Sequence, residues 1–282
     1  MTLTDTYTLT NGVKVPVVGL GTWQTPDGSE AEESVRAALK NGYRHIDTAA
    51  AYGNEASVGR AIKESGIPRE EIFVTSKLWN TMHGYENTLE AFDETLTNLG
   101  MDYLDLYLIH WPNPIKFRDN WEEANAGSWK AMEELYEAGK IKAIGISNFR
   151  EHHIDALLKT AKITPMVNQI RLTPGDPQTA LVNYCRDHGM LLEAYSPLGT
   201  GKIFEVPEMK ELAEKHHKTV AQIALRWSLQ MGFLPLPKSV HENRIQENAD
   251  IFDFELSGED MALIAELKDV AGTASDPDTA TF

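Results

Sequence analysis

A rhythm restricts this chain more than any single residue. Eight short apolar, β-branched runs recur along it: VVGLG (17–21), HIDTA (45–49), IFVTSKL (72–78), LDLYLIH (104–110), IKAIGIS (141–147), MVNQI (166–170), MLLEAY (190–195) and FLPLP (233–237). Runs without polar alternation suit strands buried on both faces, as in a parallel sheet. Between them apolar residues fall three and four apart, as in Leu89, Phe92, Leu96 and Leu99, or Val220, Ile223, Ala224 and Trp227. Trp129, Met132 and Tyr136 repeat the helical spacing, as do Ile154, Leu157 and Leu158. Eight strands alternating with helices predict a (β/α)8 TIM barrel of class α/β. An open doubly wound sheet is the alternative that pattern alone leaves.

The two ends read differently. Asn11-Gly12 stands between alternating segments, which predicts a hairpin ahead of the first barrel strand. Such a hairpin is expected to plug the lower end of the barrel. The last stretch, AGTASDPDTATF, has no periodicity and is expected to be a flap folded over the barrel mouth. No linker or repeat divides the sequence, so residues 1–282 read as one domain.

Composition narrows the partners. A formal net charge of −16 argues against nucleic acid and against anionic membrane surfaces, though not against a small anion met by local cations. Cys185 is the only cysteine, the N-terminus lacks the pattern of a signal peptide, and no apolar run is long enough to span a bilayer. A cytoplasmic protein is expected. With no zipper or patch readable, a monomer is expected.

A barrel places its chemistry at the C-terminal ends of its strands. Asp47 ends the second run, with Tyr52 in the following loop; Lys77 is near the end of the third and His110 closes the fourth. These types make sense together. A free tyrosine is too weak an acid near neutrality, an adjacent ammonium is expected to lower its pKa, and a carboxylate can hold that ammonium charged. His110 can donate a hydrogen bond to a carbonyl. Trp23, Trp79 and Trp111 follow strands on the same rim, and Phe117 lies in the loop after the fourth; these four are expected to wall an apolar substrate pocket.

A second constellation is LPKSVHENRIQEN (236–248). Ser239 and Glu242 fit a capping box, so a helix is expected to start there, with Lys238 and Arg244 beside it. That reads as a phosphate clamp. Other signatures fail. Gly19-Leu20-Gly21 continues as Thr22-Trp23-Gln24, which breaks the dinucleotide fingerprint. The adjacent pairs His152-His153 and His216-His217 are expected to point to different sides of a helix, and no metal is expected.

With these residues in view, the chain resembles the aldo-keto reductases over nearly its whole length. The stretches GYRHIDTAAAYGNEASVG (42–59), MEELYEAGKIKAIGISNF (132–149) and LPKSVHENRIQENADI (236–251) fit the family's signatures, most nearly in its short-loop prokaryotic subgroup of diketogluconate and glyoxal reductases. The resemblance implies a catalytic tetrad of Asp47, Tyr52, Lys77 and His110. It implies that Ser147, Asn148 and Gln169 hold the nicotinamide carboxamide of NADPH and that Tyr195 stacks on its ring. Ser196, Leu198 and Gly199 would follow the pyrophosphate, and Lys238, Ser239, Arg244 and Asn248 would hold the adenosine 2′-phosphate end. Many relatives read N-Q-x-E-x-H-P where this chain has Asn168-Gln169-Ile170-Arg171-Leu172-Thr173-Pro174. The expected activity is NADPH-dependent reduction of small aldehydes, ketones or dicarbonyls. The alternatives are a cofactor-binding sensor with little turnover, or a barrel isomerase or hydrolase without nicotinamide.

Overall fold

The computed structural model describes all 282 residues. The chain opens with an antiparallel hairpin, β1 (Thr6–Thr8) and β2 (Lys14–Pro16). Eight strands then form one parallel sheet in sequence order: β3 (Leu20–Gly21), β4 (His45–Asp47), β5 (Phe73–Leu78), β6 (Leu104–Ile109), β7 (Ile141–Ser147), β8 (Val167–Arg171), β9 (Leu191–Tyr195) and β10 (Leu234–Leu236). The first and last strands meet through Gly19 N–H to Pro235 O, 3.2 Å, and Gly21 N–H to Pro237 O, 2.9 Å. A Cβ on Gly21 would stand 2.9 Å from Leu236 O, so a larger residue would prise this seam apart. The Gly19-Leu20-Gly21 that fails the dinucleotide fingerprint closes the barrel instead.

Helices α1 (Ser29–Lys40), α2 (Glu55–Glu64), α3 (Tyr85–Leu99), α4 (Trp121–Glu137), α5 (Glu151–Leu158) and α6 (Thr179–Asp187) each link two strands. Two helices, α7 (Pro207–His216) and α8 (Val220–Gln230), share the last link, and α9 (Glu242–Ala249) and α10 (Gly258–Ala265) follow β10. The predicted apolar stripes face inward; Leu89, Leu96 and Tyr136 are only partly covered, while Phe92, Trp129 and Met132 are buried. Trp129 also satisfies its indole, whose Nε1–H donates to Ile163 O at 2.9 Å. Removing such a side chain typically costs about 3–5 kcal/mol. Sixty-four buried apolar residues form one continuous core.

One expected cap is absent. α9 starts at Glu242 with His241 ahead of it, and Ser239 Oγ instead accepts from His241 N–H at 3.1 Å. Ser239 lies two residues ahead of the N-cap position, too early to reach the helix, so it shapes the turn before it. True capping boxes occur at Thr219 with Gln222 and at Ser257 with Asp260.

The hairpin lies at the strands' N-terminal ends. Tyr7 Oη donates to Phe233 O, just before β10, at 2.9 Å, and Asn11 Nδ2 donates to Lys142 O, at the start of β7, at 3.0 Å. The tail crosses the opposite end, so the barrel has a closed floor and a partly covered mouth.

Candidate active site

The sheet order puts β4, β5 and β6 side by side, and with them Asp47, Lys77 and His110. Tyr52 enters from one helical turn, Ala50–Tyr52, after β4. Lys77 Nζ donates to Asp47 Oδ1 at 2.6 Å, to Thr48 O at 3.0 Å and to Tyr52 Oη at 3.0 Å. All three ammonium hydrogens therefore have acceptors. The His110 ring meets Tyr52 edge-on, with centroids 5.8 Å apart. The four residues singled out in the sequence do converge.

Their electrostatics differ in one respect from the sequence expectation. Burial is the largest influence on Tyr52 and raises its pKa above 10.0; Lys77 pulls it down, but the net direction is up. The sequence names the ammonium and is silent on burial, and burial wins. Burial alone would discharge Lys77, yet Asp47 and the Tyr52 oxygen outweigh it and hold the amine charged. His110 is pushed well below 6.5 by burial, then by Lys77 and His83, so it stands as a neutral imidazole.

Next along the cleft come the groups assigned to a carboxamide. Ser147 Oγ donates to Gln169 O at 2.7 Å, Asn148 Nδ2 donates to His110 O at 3.1 Å, and Tyr195 Oη donates to Asn148 Oδ1 at 2.6 Å. Asn148 and Ser196 both hold positive φ, 61° and 46°, a conformation that costs a non-glycine residue and recurs at binding sites. Gln169 turns its nitrogen inward, to Asp47 Oδ2 at 2.8 Å and Glu193 Oε1 at 3.1 Å. No sequence argument found Glu193, although a charged residue inside an apolar strand was its visible signal.

At the far end Lys238 and Arg244 stand exposed on the cleft wall with Ser239 and Asn248, both buried. Two carboxylates of the same helix are engaged elsewhere: Glu242 pairs with Lys40 at 3.1 Å, and Glu247 accepts from Thr219 Oγ1 at 2.5 Å. Two free cations and a helix N-terminus fit the phosphate end of a dinucleotide. Ser196 and Leu198 line the wall between the two ends. Gly199 does not. It lies behind that wall, where an added Cβ would stand 2.6 Å from Ala271 Cβ. The whole cleft encloses about 1120 Å³, ample for a dinucleotide and a small second substrate.

Trp23, Trp79 and Trp111 line the mouth as expected, joined by Phe282. Phe282 stacks on Trp79, with centroids 6.3 Å apart, and meets Trp111 edge-on at 4.8 Å. Phe117 corrects the sequence reading. Its ring stacks on His83 at 5.6 Å, outside the cleft, because the segment Ile115–Asn120 coils away from the rim. The tail takes the place assigned to it.

That tail is anchored along its length. Arg171, at the departure from the family pattern, donates through Nη1 to Gly272 O at 3.0 Å and through Nη2 to Ala271 O. Asp278 accepts from Asn113 Nδ2 at 2.9 Å and meets His152 Nε2 and His153 Nε2, each at 2.7 Å. So the two histidines do not point apart. They occupy the first turn of α5, where side chains lean back toward the helix start, and both reach over its end. His153 Nδ1 accepts the Arg150 N–H at 2.9 Å, which leaves the proton on Nε2 to donate to Asp278. This is a hydrogen-bonded latch, with that nitrogen's lone pair already committed to N–H.

Fold and cleft together point to a barrel oxidoreductase. The aldo/keto reductase family profile matches residues 17–269, and the chain belongs to that family. It is 53% identical over 280 residues to the glyoxal reductase of Bacillus subtilis, covering 99% of both chains. Among solved structures it superposes with TM-score 0.92 on an aldo-keto reductase from a Medee basin deep-sea metagenome library, at 46% identity, covering 98% of this chain and 100% of that one. A mutant of the protein Gox0644, solved in complex with NADPH, gives TM-score 0.91 at 38% identity, covering 99% of both.

Proposed function

We propose that the chain reduces small aldehydes, ketones or dicarbonyls to alcohols, with NADPH as its cofactor and Tyr52 as the general acid. The observation that carries this reading is the 3.0 Å contact from Lys77 Nζ to Tyr52 Oη, with a neutral His110 ring edge-on to the Tyr52 ring. When bound, NADPH supplies the hydride. Tyr52 keeps its proton through the neutral range, since its pKa is raised. His110 donates a hydrogen bond to the substrate carbonyl and holds it over Tyr52. As negative charge grows on that oxygen, Tyr52 gives up its proton, and Lys77 stabilises the phenolate left behind. Asp47 keeps Lys77 charged and aimed. Trp23, Trp79, Trp111 and Phe282 exclude water from the reacting carbon.

The free cations Lys238 and Arg244 fit a 2′-phosphate and support NADPH over NADH. The similarity to a glyoxal reductase supports dicarbonyls among the substrates. One continuous core supports a single barrel domain. The test is a screen of NADPH oxidation over dicarbonyls, aromatic aldehydes and keto-sugars, followed by stopped flow. Turnover of small dicarbonyls is expected. Tight NADPH binding with no oxidation by any carbonyl would instead make the protein a cofactor sensor.

A further inference from the structure

Strand β9 carries a carboxyl group into the closed interior of the barrel. Glu193 has no exposed surface, and its partners in register are Gln169 on β8 and Leu234 on β10. Gln169 Nε2 lies 2.8 Å from Asp47 Oδ2 and 3.1 Å from Glu193 Oε1. An amide nitrogen has two hydrogens, and each here has one of these oxygens to meet. The other glutamate oxygen, Oε2, has no partner. Its nearest base is His45 Nε2 at 3.7 Å, too far for a hydrogen bond. Burial also holds His45 near 4, so it brings no positive charge. A bare carboxylate oxygen in such surroundings is costly, and a proton on Oε2 removes the charge.

We propose that Glu193 is a positioning residue of the carbonyl reduction: protonated on Oε2, it joins Asp47 in turning the Gln169 amide nitrogen inward, so that the Gln169 carbonyl oxygen faces the cleft and accepts an N–H of the nicotinamide carboxamide. The proposal rests on the NADPH reading above. Its second consequence is a pH dependence. The titratable groups facing Glu193 are Asp47 and His45 from β4 and Lys77 from β5; β8 and β10 bring only the neutral Gln169 and Leu234. Burial first, then the Asp47 charge, push the Glu193 carboxyl up to about 8, against the opposing pull of Gln169 and Lys77. As pH rises through that value Glu193 ionises. Two anions then face Lys77, its proton is held harder, and a phenolate on Tyr52 becomes less favourable. Tyr52 turns into a poorer acid, and reduction slows on the alkaline side.

The experiment compares the parent with Glu193→Gln and Glu193→Leu. Infrared difference spectra of the cofactor-free protein should show a buried carboxylic-acid C=O band that disappears between neutral and alkaline pH and is missing from E193Q. The alkaline fall in kcat should move to higher pH in E193Q. In E193L, NADPH affinity measured by fluorescence should weaken about tenfold, the scale of one lost hydrogen bond, and E193Q should restore most of it. The same C=O band in E193Q, or superimposable pH profiles, would overturn the proposal. The infrared arm needs no turnover, so its failure counts against Glu193 alone. A parent that binds NADPH and reduces nothing counts against the reductase reading alone.

Discussion

At the inner end of the cleft Lys77 is fully buried and directs its three hydrogens to Asp47, Thr48 and Tyr52, whereas at the outer end Lys238 and Arg244 lie exposed and unpaired. The same kind of charge is handled in opposite ways in one cavity. A group that must keep one charge state through a reaction has its partners supplied by the protein, which fixes both its protonation and its aim. A group that must receive an anion is left without a protein partner, so that the ligand becomes the partner. In a chain of net charge −16, that outer pair is also a local exception to the field around it.

Substitutions at the two ends should therefore fail in different ways. Tyr52→Phe removes the proton and keeps the ring. Turnover should fall by roughly 10²-fold or more, the scale of lost acid catalysis, while NADPH affinity measured by fluorescence hardly changes. Near-normal turnover in this variant would end the assignment of Tyr52. Arg244→Ala should do the reverse: NADPH binding weakens by about 10- to 100-fold, the range of one charge-assisted hydrogen bond, with NADH and kcat nearly untouched. Equal losses for both cofactors would mean that Arg244 does not meet the 2′-phosphate.

The tail sharpens the comparison, because its terminal Phe282 packs on Trp79 and Trp111 beside the tetrad. Deleting residues 273–282 should change the ratio of kcat/KM between a bulky aromatic aldehyde and a small dicarbonyl by roughly 2- to 10-fold, the scale of one aromatic contact. Thermal stability and NADPH binding should stay close to those of the full chain. An unchanged ratio would show that Phe282 does not shape the pocket. The smallest expected effect is that of a chelator. In the proposed reaction Tyr52 and His110 supply acid and polariser, and the His153 Nε2 that meets Asp278 carries a proton. Activity should survive prolonged chelation, and its loss with recovery on adding one metal would break this account.

The strands and the convergence of Asp47, Tyr52, Lys77 and His110 were legible because period and strand-end position are local properties of sequence. Asp47, Lys77 and His110 needed only the rule that barrel chemistry sits at strand C-termini. What the sequence hid depends on depth or on distant partners. It proposed that Lys77 lowers the Tyr52 pKa, but burial is a property of the closed barrel and reverses the net direction. It placed Phe117 on the rim, but the turn after β6 sends that ring to His83 and leaves the wall to Phe282, more than a hundred residues on. Glu193 looked like one polar letter in an apolar strand; only register against Gln169 gives it a role. The Asp278 latch joins α5 to the tail, a contact no local pattern records.

The closed coordination of Lys77 also bears on a hazard that the proposed carbonyl reduction would carry. A primary amine beside a reactive carbonyl ordinarily condenses with it to an imine, which would poison the site. That attack needs a nitrogen lone pair. Lys77 has none to offer, because the amine is held protonated and each of its hydrogens is already directed at an oxygen. In the proposed reaction, the residue paired with Tyr52 is thereby inert toward the carbonyl it would help reduce. Borohydride added during turnover of an aldehyde should leave Lys77 without an alkyl adduct by peptide mass spectrometry, while exposed lysines such as Lys40 and Lys159 take up label.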